Sequence, residues 1–260
     1  FMEGHPYQII IPTGFILGIA SGFILHRSDF CIAGMFRDIF LFKNSRKIKS
    51  LFLLVSVSMI LFELSRLFGF LPLYPFPLLG FPSMANLVGG FLFGFGMVLA
   101  GGCVVGILYK IGSGSIISLI AFIGLIIGSA LYAEVHPLWV NFTRQSTVFA
   151  GKITISQITG LHPTFFVIFF LIPAVYFLYR WKKNGDFFES TVPDGYIKPS
   201  LAAILLSIIG LLSYIIIGMP FGITTTYSKI AGFIEKLLLP AHFEALDYYR
   251  FVSLKYNYPY

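Results

Sequence analysis

The chain has 260 residues, of which 57% are hydrophobic and only 11% charged, with 30 phenylalanines among them. That balance cannot fold into a water-soluble globule without exposing large apolar patches, so it excludes the soluble classes and indicates an integral membrane protein. The net charge of +7 does not point to nucleic acid, because the basic residues concentrate in two short loops between apolar stretches.

In chain order, six stretches are long and apolar enough to cross a hydrocarbon core of about 30 Å. They lie near 9–26, 51–70, 85–108, 115–133, 163–181 and 200–217. No basic stretch precedes the first, which therefore reads as a span and not as a cleavable signal. Lys43, Arg46, Lys47 and Lys49 follow the first span, and Arg180, Lys182, Lys183 and Lys198 follow the fifth. Both loops are expected in the cytoplasm. The N-terminus, the proline-rich loop 72–82 and the long loop 134–162 are then expected outside, although Arg144 and Lys152 in that last loop run against the rule. As one helix, residues 9–42 would extend roughly 50 Å, so a full span followed by a partial or re-entrant helix is expected.

Three places interrupt the apolar helices. In "HRSDFCIAG", residues 26–34, Ser28 or Asp29 is expected to cap a new helix whose first turn holds Cys31. In "LAGGCVVG", Gly101 and Gly102 permit an unwound backbone directly before Cys103. In "GMPFGITTTYSK", Gly218, Pro220 and Gly222 break the path ahead of a threonine run, Thr224 to Thr226, which either caps its helix or hydrogen-bonds a ligand. A helix that begins inside a membrane turns free N–H groups and a partial positive charge toward whatever precedes it, which suits an anion. Arg27 is either an interfacial anchor or an anion attractor. Glu63 and Arg66 have the i, i+3 spacing of an ion pair inside the bundle. His136 and His162 each precede a proline and are expected in the outer loop. Cys31 and Cys103 form no CxxC pair and the five histidines are scattered, so neither a metal nor a cofactor is indicated.

The chain also contains an internal echo. "FCIAGMFRDI" (30–39) aligns with "FGITTTYSKI" (221–230), matching Phe30 with Phe221, Ile32 with Ile223, Phe36 with Tyr227 and Ile39 with Ile230. Five spans separate the copies, an odd number, so the second is expected to be inverted, as in many secondary transporters. This predicts a first repeat over 1–182, a cytoplasmic linker over 183–199 within the polar stretch "RWKKNGDFFESTVPDGYIKP" (180–199), and the start of a second repeat over 200–260. The offset of 191 residues would place a counterpart of Cys103 near position 294. Together with the absence of methionine at Phe1, this predicts a fragment lacking much of the second half.

"GFILHRSDFCIAGMFRDIF", "GGFLFGFGMVLAGGCVVG" and "PFGITTTYSKIAG" resemble the YeeE/YedE family of sulfur-compound transporters, with similarity extending in order over nearly the whole chain. The resemblance implies an all-α, multi-pass, inverted-repeat bundle whose short helices converge on cysteines along a central path, its second repeat truncated here. It also implies import of thiosulfate or a related sulfur oxyanion through a bacterial inner membrane, by transfer between cysteine S–H groups. The expected substrate path comprises Cys31, Cys103, Gly101, Gly102, Phe30, Arg27, Gly222 and Thr224. Where Cys31 aligns internally the second copy has Gly222, so the repeat is not chemically symmetric there.

The chemistry suits such a substrate. Thiosulfate is a dianion with one soft sulfur and three hard oxygens. A thiol in a low-dielectric pocket stays protonated and donates a weak hydrogen bond to the soft sulfur, whereas a thiolate would repel it. Helix N-termini and glycine N–H groups can meet the oxygens, and weak sites in series let an ion enter without being trapped. The competing readings are a selenium-oxyanion transporter and a membrane sulfur relay that carries a cysteine persulfide to a small cytosolic TusA-like carrier. No base at helical spacing accompanies either cysteine, which weighs against the relay and against an enzyme.

Overall fold

The computed structural model describes residues 7–71, 80–149, 151–184, 195–218, 222–246 and 248–249. Most of the expected linker and of the 72–82 loop, Pro220, Phe221 and the first six residues lie outside the described residues. The helices are α1 (Tyr7–Ser28), α2 (Ile32–Phe42), α3 (Arg46–Leu67), α4 (Met84–Leu99), α5 (Val104–Gly112), α6 (Ile116–Gln145), α7 (Ile155–Thr159), α8 (Pro163–Lys183), α9 (Pro199–Ile217), α10 (Ile223–Leu238) and α11 (Pro240–Ala245). Among the described residues the only β-type pairing is an isolated bridge between Ser83 and Thr147. Six helical stretches have the length and hydropathy to cross a membrane, starting at Ile10, Arg46, Met84, Ile116, Pro163 and Pro199. The protein is an all-α multi-pass membrane protein.

The chain forms two compact units, each drawn from two separated stretches. The first unit, residues 1–79 and 152–221, contains α1, α2, α3, α7, α8 and α9. In it α3 packs against α8 and α9, α1 against α9, and α2 against α3. Ala202 and Ala203 of α9 are completely buried with Ile24, Phe30 and Met35. Small residues on α9 allow the neighbouring backbones to approach closely, which is how membrane helices gain contact where no hydrophobic drive separates them from lipid. Ser207 adds a polar stitch: its hydroxyl donates to Leu54 O at 3.1 Å and accepts from Ser58 at 3.1 Å.

The second unit, residues 80–151 and 222–260, contains α4, α5, α6, α10 and α11. Here α6 packs against α4, α5 and α10. Ser129 of α6 donates to Ser228 of α10 at 2.9 Å, and Phe122 stands edge-on to Tyr227 with ring centroids 5.5 Å apart. Large apolar side chains left exposed, such as Phe15, Phe91 and Val98 at 69%, 77% and 80%, are what a lipid-facing surface requires.

As Gly101 and Gly102 led one to expect, the chain unwinds over 100–103, between α4 and α5. Three expectations need correction. The stretch 115–133 continues as helix to Gln145, about 45 Å in all. Hydropathy marks only the part of a helix that lies in hydrocarbon, and "AEVHPLWVNFTRQ" prolongs α6 beyond it. His136 is therefore within a helix, with Pro137 inside α6, and not in a loop. Neither Ser28 nor Asp29 caps α2, since Ser28 completes α1 and the cap position belongs to Cys31. The threonine run does not cap α10 either: its N-cap is Gly222, without a side-chain hydrogen bond.

Candidate functional site

The turn before α2 begins with the ending of α1. Asp29 takes a left-handed backbone at φ 48°, and the N–H of Phe30 returns to the carbonyl of Leu25 at 3.3 Å. This six-residue closure satisfies a carbonyl that the helix end would leave orphaned. Asp29 holds the conformation that glycine usually supplies, and its carboxylate is paired with Lys47 at 2.9 Å. Lys47 also approaches Asp38 of α2 at 3.8 Å, and Asp38 accepts from Arg37 at 3.0 Å. Cys31 is then the N-cap of α2, extended at φ −124°, ψ 117° and only 4% exposed. Its carbonyl accepts the first helical bond from Met35 at 2.9 Å.

The turn before α5 repeats this path. Gly101 is left-handed at φ 66°, and the N–H of Gly102 returns to Met97 O at 3.2 Å. Cys103 is the N-cap of α5, extended at φ −76°, ψ 168°, and its sulfur accepts the N–H of Gly106 at 3.3 Å. In both turns the left-handed residue stands two positions before a cysteine that opens a new helix. Both cysteines are thiols and not halves of a disulfide.

The sequence-derived residues divide between the units. Arg27, Phe30 and Cys31 belong to the first, and Gly101, Gly102, Cys103, Gly222 and Thr224 to the second. Arg27 donates to Gly195 O at 3.2 Å, and its carbonyl accepts from Ile197 at 2.9 Å, tying the end of α1 to the segment entering α9. Phe30 is 5% exposed and lies in the core of its unit. In the second unit α10 packs on α5, and Tyr227 donates its hydroxyl to Val104 O at 3.4 Å, one residue beyond Cys103. Thr224 and Gly222 are exposed at the start of that helix.

Three other polar arrangements occur. Glu63 and Arg66 make the expected pair, with Arg66 Nη2 2.6 Å and Nε 3.0 Å from the carboxylate. Thr164 of α8 donates to the same carboxylate at 2.6 Å, beside a cavity of about 450 Å³ lined also by Phe62, Thr154 and Phe166. His242 of α11 lies between two carboxylates, Nδ1 2.7 Å from Glu235 and Nε2 3.2 Å from Glu134. Lys110 Nζ donates to Gly101 O at 2.8 Å. The sequence reading passed over Lys110 and the His242 cluster. Lys110 carries a readable signal, a lone lysine seven residues, two helical turns, after Cys103.

The two cysteine turns, each at a helix break, are the features by which the sequence resembled a sulfur-transport family. Residues 27–246 match the family described as sulphur transport, and that match spans both turns. The chain belongs to this family. Among sulphur-transport relatives, the thiosulfate transporter TsuA of Spirochaeta thermophila is 29% identical over 258 residues, covering 92% of this chain and 74% of that protein. The thiosulfate transporter TsuA of Escherichia coli is 36% identical over 137 residues, 52% of this chain and 38% of the relative. A probable transporter of E. coli, YedE, is 28% identical over 183 residues, 69% of this chain and 42% of the relative. The chain thus spans about three quarters of the spirochaete relative and less than half of the two E. coli relatives.

Proposed function

We propose that this chain carries thiosulfate, or a closely related sulfur oxyanion, inward through a bacterial plasma membrane without changing it chemically, with its N-terminus outside. The supporting observation is the repeated turn in which Cys31 and Cys103 each open a helix two residues after a left-handed residue. A thiol at such a place has helix N–H groups around it, so one locus offers a weak S–H donor for the soft sulfur and backbone donors for the oxygens. Gly101 and Gly102 keep the approach to Cys103 narrow in side-chain bulk, while Arg27 and Phe30 shape the end of α1 ahead of Cys31. Gly222 and Thr224 contribute the start of α10, and residues 1–182 and 200–260 belong to inverted repeats, the second of them only begun here.

Uptake of radiolabelled thiosulfate, with sulfate, sulfite, selenite and selenate as competitors, tests this reading. Cys31→Ser and Cys103→Ser should each reduce uptake at least about tenfold, since serine keeps the shape but replaces the soft donor. Full uptake by both variants would exclude transfer through thiols. Stronger competition by selenite or selenate than by sulfur oxyanions would reassign the substrate to a selenium species. A persulfide trapped on either cysteine would instead support a sulfur relay, with a small TusA-like carrier as acceptor.

A further inference from the structure

The ammonium of Lys110 is placed against the Cys103 turn. Lys110 belongs to the last turn of α5, where the partial negative charge of the helix C-terminus would favour a cation. Its side chain instead reaches back along the helix, and Nζ donates to the carbonyl of Gly101 at 2.8 Å. A Cβ built on the buried Gly102 would lie 3.5 Å from Nζ, so the charge sits directly against the two residues that lead into Cys103. Among the described residues, the ion pairs do not include Lys110. Its charge therefore faces a neutral carbonyl beside a helix N-terminus that already carries positive potential, in a stretch apolar enough to span a membrane. A half-exposed ammonium near the end of the apolar stretch, drawn back from the helix C-terminus toward the Cys103 turn, is an arrangement that an anionic ligand would complete.

We infer that Lys110 is the charge-selecting residue of the Cys103 site, supplying the cation that offsets a divalent oxyanion while the Cys103 thiol meets its soft sulfur. This rests on the proposed function. One ammonium donor holds the Gly101 carbonyl, and the ligand takes another, so the same side chain fixes the turn and binds the dianion. The chemistry favours doubly charged sulfur anions over singly charged ones of similar softness.

Two probes separate charge from softness: thiosulfate, a dianion, and thiocyanate, a monoanion that also presents a soft sulfur. The experiment measures thiosulfate uptake and its inhibition by thiocyanate in proteoliposomes carrying the chain as Lys110→Gln or Lys110→Arg. Glutamine keeps an N–H donor, on a side chain one atom shorter, but carries no charge. Lys110→Gln should raise the thiosulfate KM about tenfold or more, the loss of one charge-assisted hydrogen bond, and shift thiocyanate inhibition by less than about threefold. Lys110→Arg should stay within about threefold of the unsubstituted chain on both counts. An unchanged thiosulfate KM in Lys110→Gln overturns the inference, and so does an equal loss for both anions, which would mean that the lysine only holds the turn. If the unsubstituted chain neither takes up thiosulfate nor responds to thiocyanate, the proposed function itself fails and this inference with it.

Discussion

Arg66 and Glu63 meet through two hydrogen bonds of 2.6 and 3.0 Å, and the Thr164 hydroxyl donates to the same carboxylate. Their side chains are only 17% and 12% exposed. A pair so placed is held together more by the cost of separating it than by its net attraction, because either charge alone would be stranded in a low-dielectric setting. Glu63→Gln should therefore destabilise the protein by about 3 kcal/mol. The double variant Glu63→Leu with Arg66→Leu should lose much less, since no unpaired charge remains. Thermal unfolding of the detergent-solubilised protein distinguishes them, and equal losses in the two variants would contradict the argument.

How far such features could be read in advance depended on the range over which they act. The Glu63–Arg66 pair and both cysteine turns are local: three residues on one helix, or a Gly-Gly or Ser-Asp step beside a cysteine, leave their mark in a few adjacent letters. The six spans were equally plain, because hydrocarbon demands long apolar windows. The end of α6 was not, since residues 134–145 mix polar and apolar side chains that read as loop although the helix continues through them. The cap of α2 was misplaced because Asp29, a good capping residue, serves here as the left-handed residue that closes α1. His242 draws together Glu134 and Glu235, more than a hundred residues apart in sequence, which only the folding of α11 and α10 against α6 can do. Lys110 leaves a mark in the sequence, a lone lysine two helical turns after Cys103, but the turn of its side chain back toward Gly101 shows only in the fold.

The left-handed residues of the two cysteine turns respond differently to substitution. Gly101 at φ 66° has open space around the position of a Cβ, so any penalty there comes from the backbone and not from packing. Gly101→Ala should cost about 1–2 kcal/mol, the left-handed penalty for an L-residue. It should also lower thiosulfate uptake if relaxation of that strain moves Cys103 from its cap position. A Gly101→Ala protein with unchanged unfolding temperature would show that the turn relaxes freely.

Asp29 already carries the left-handed penalty, at φ 48°, and also pairs with Lys47. Its side chain is 55% exposed, so the pair contributes at most about 1 kcal/mol, close to what relief of the backbone would return. Asp29→Gly should therefore leave unfolding within about 1 kcal/mol of the parent. Asp29→Val loses the pair and adds a β-branched side chain at positive φ, and should be clearly less stable. Thermal unfolding of the two variants side by side makes the comparison. A more stable valine variant would remove backbone strain from the account of the Cys31 turn.

His242 touches a carboxylate through each ring nitrogen, Glu235 at Nδ1 and Glu134 at Nε2. Tyr249 donates to the other oxygen of Glu235 at 2.5 Å, and its ring stacks on Phe243 with centroids 4.9 Å apart, so Tyr249 folds back on α10. Lys236 of α10 faces the Phe243 ring at 6.0 Å. The Glu235 hydrogen bond, aided by the charges of Glu134 and Glu235, holds His242 above its ordinary value of 6.5. A value raised in the folded state means that the folded protein binds the proton more tightly than the unfolded chain. The stabilisation is thus fully present below about pH 6.5 and is lost as the pH rises through the raised value. Above that point the neutral imidazole can donate to only one carboxylate, and the two acids meet across it. Protection of the α11 amides in hydrogen exchange, corrected for the intrinsic effect of pH, should fall between pH 6 and pH 8.5, and His242→Gln should flatten that change. An identical pH response in the glutamine variant would assign the effect to another group.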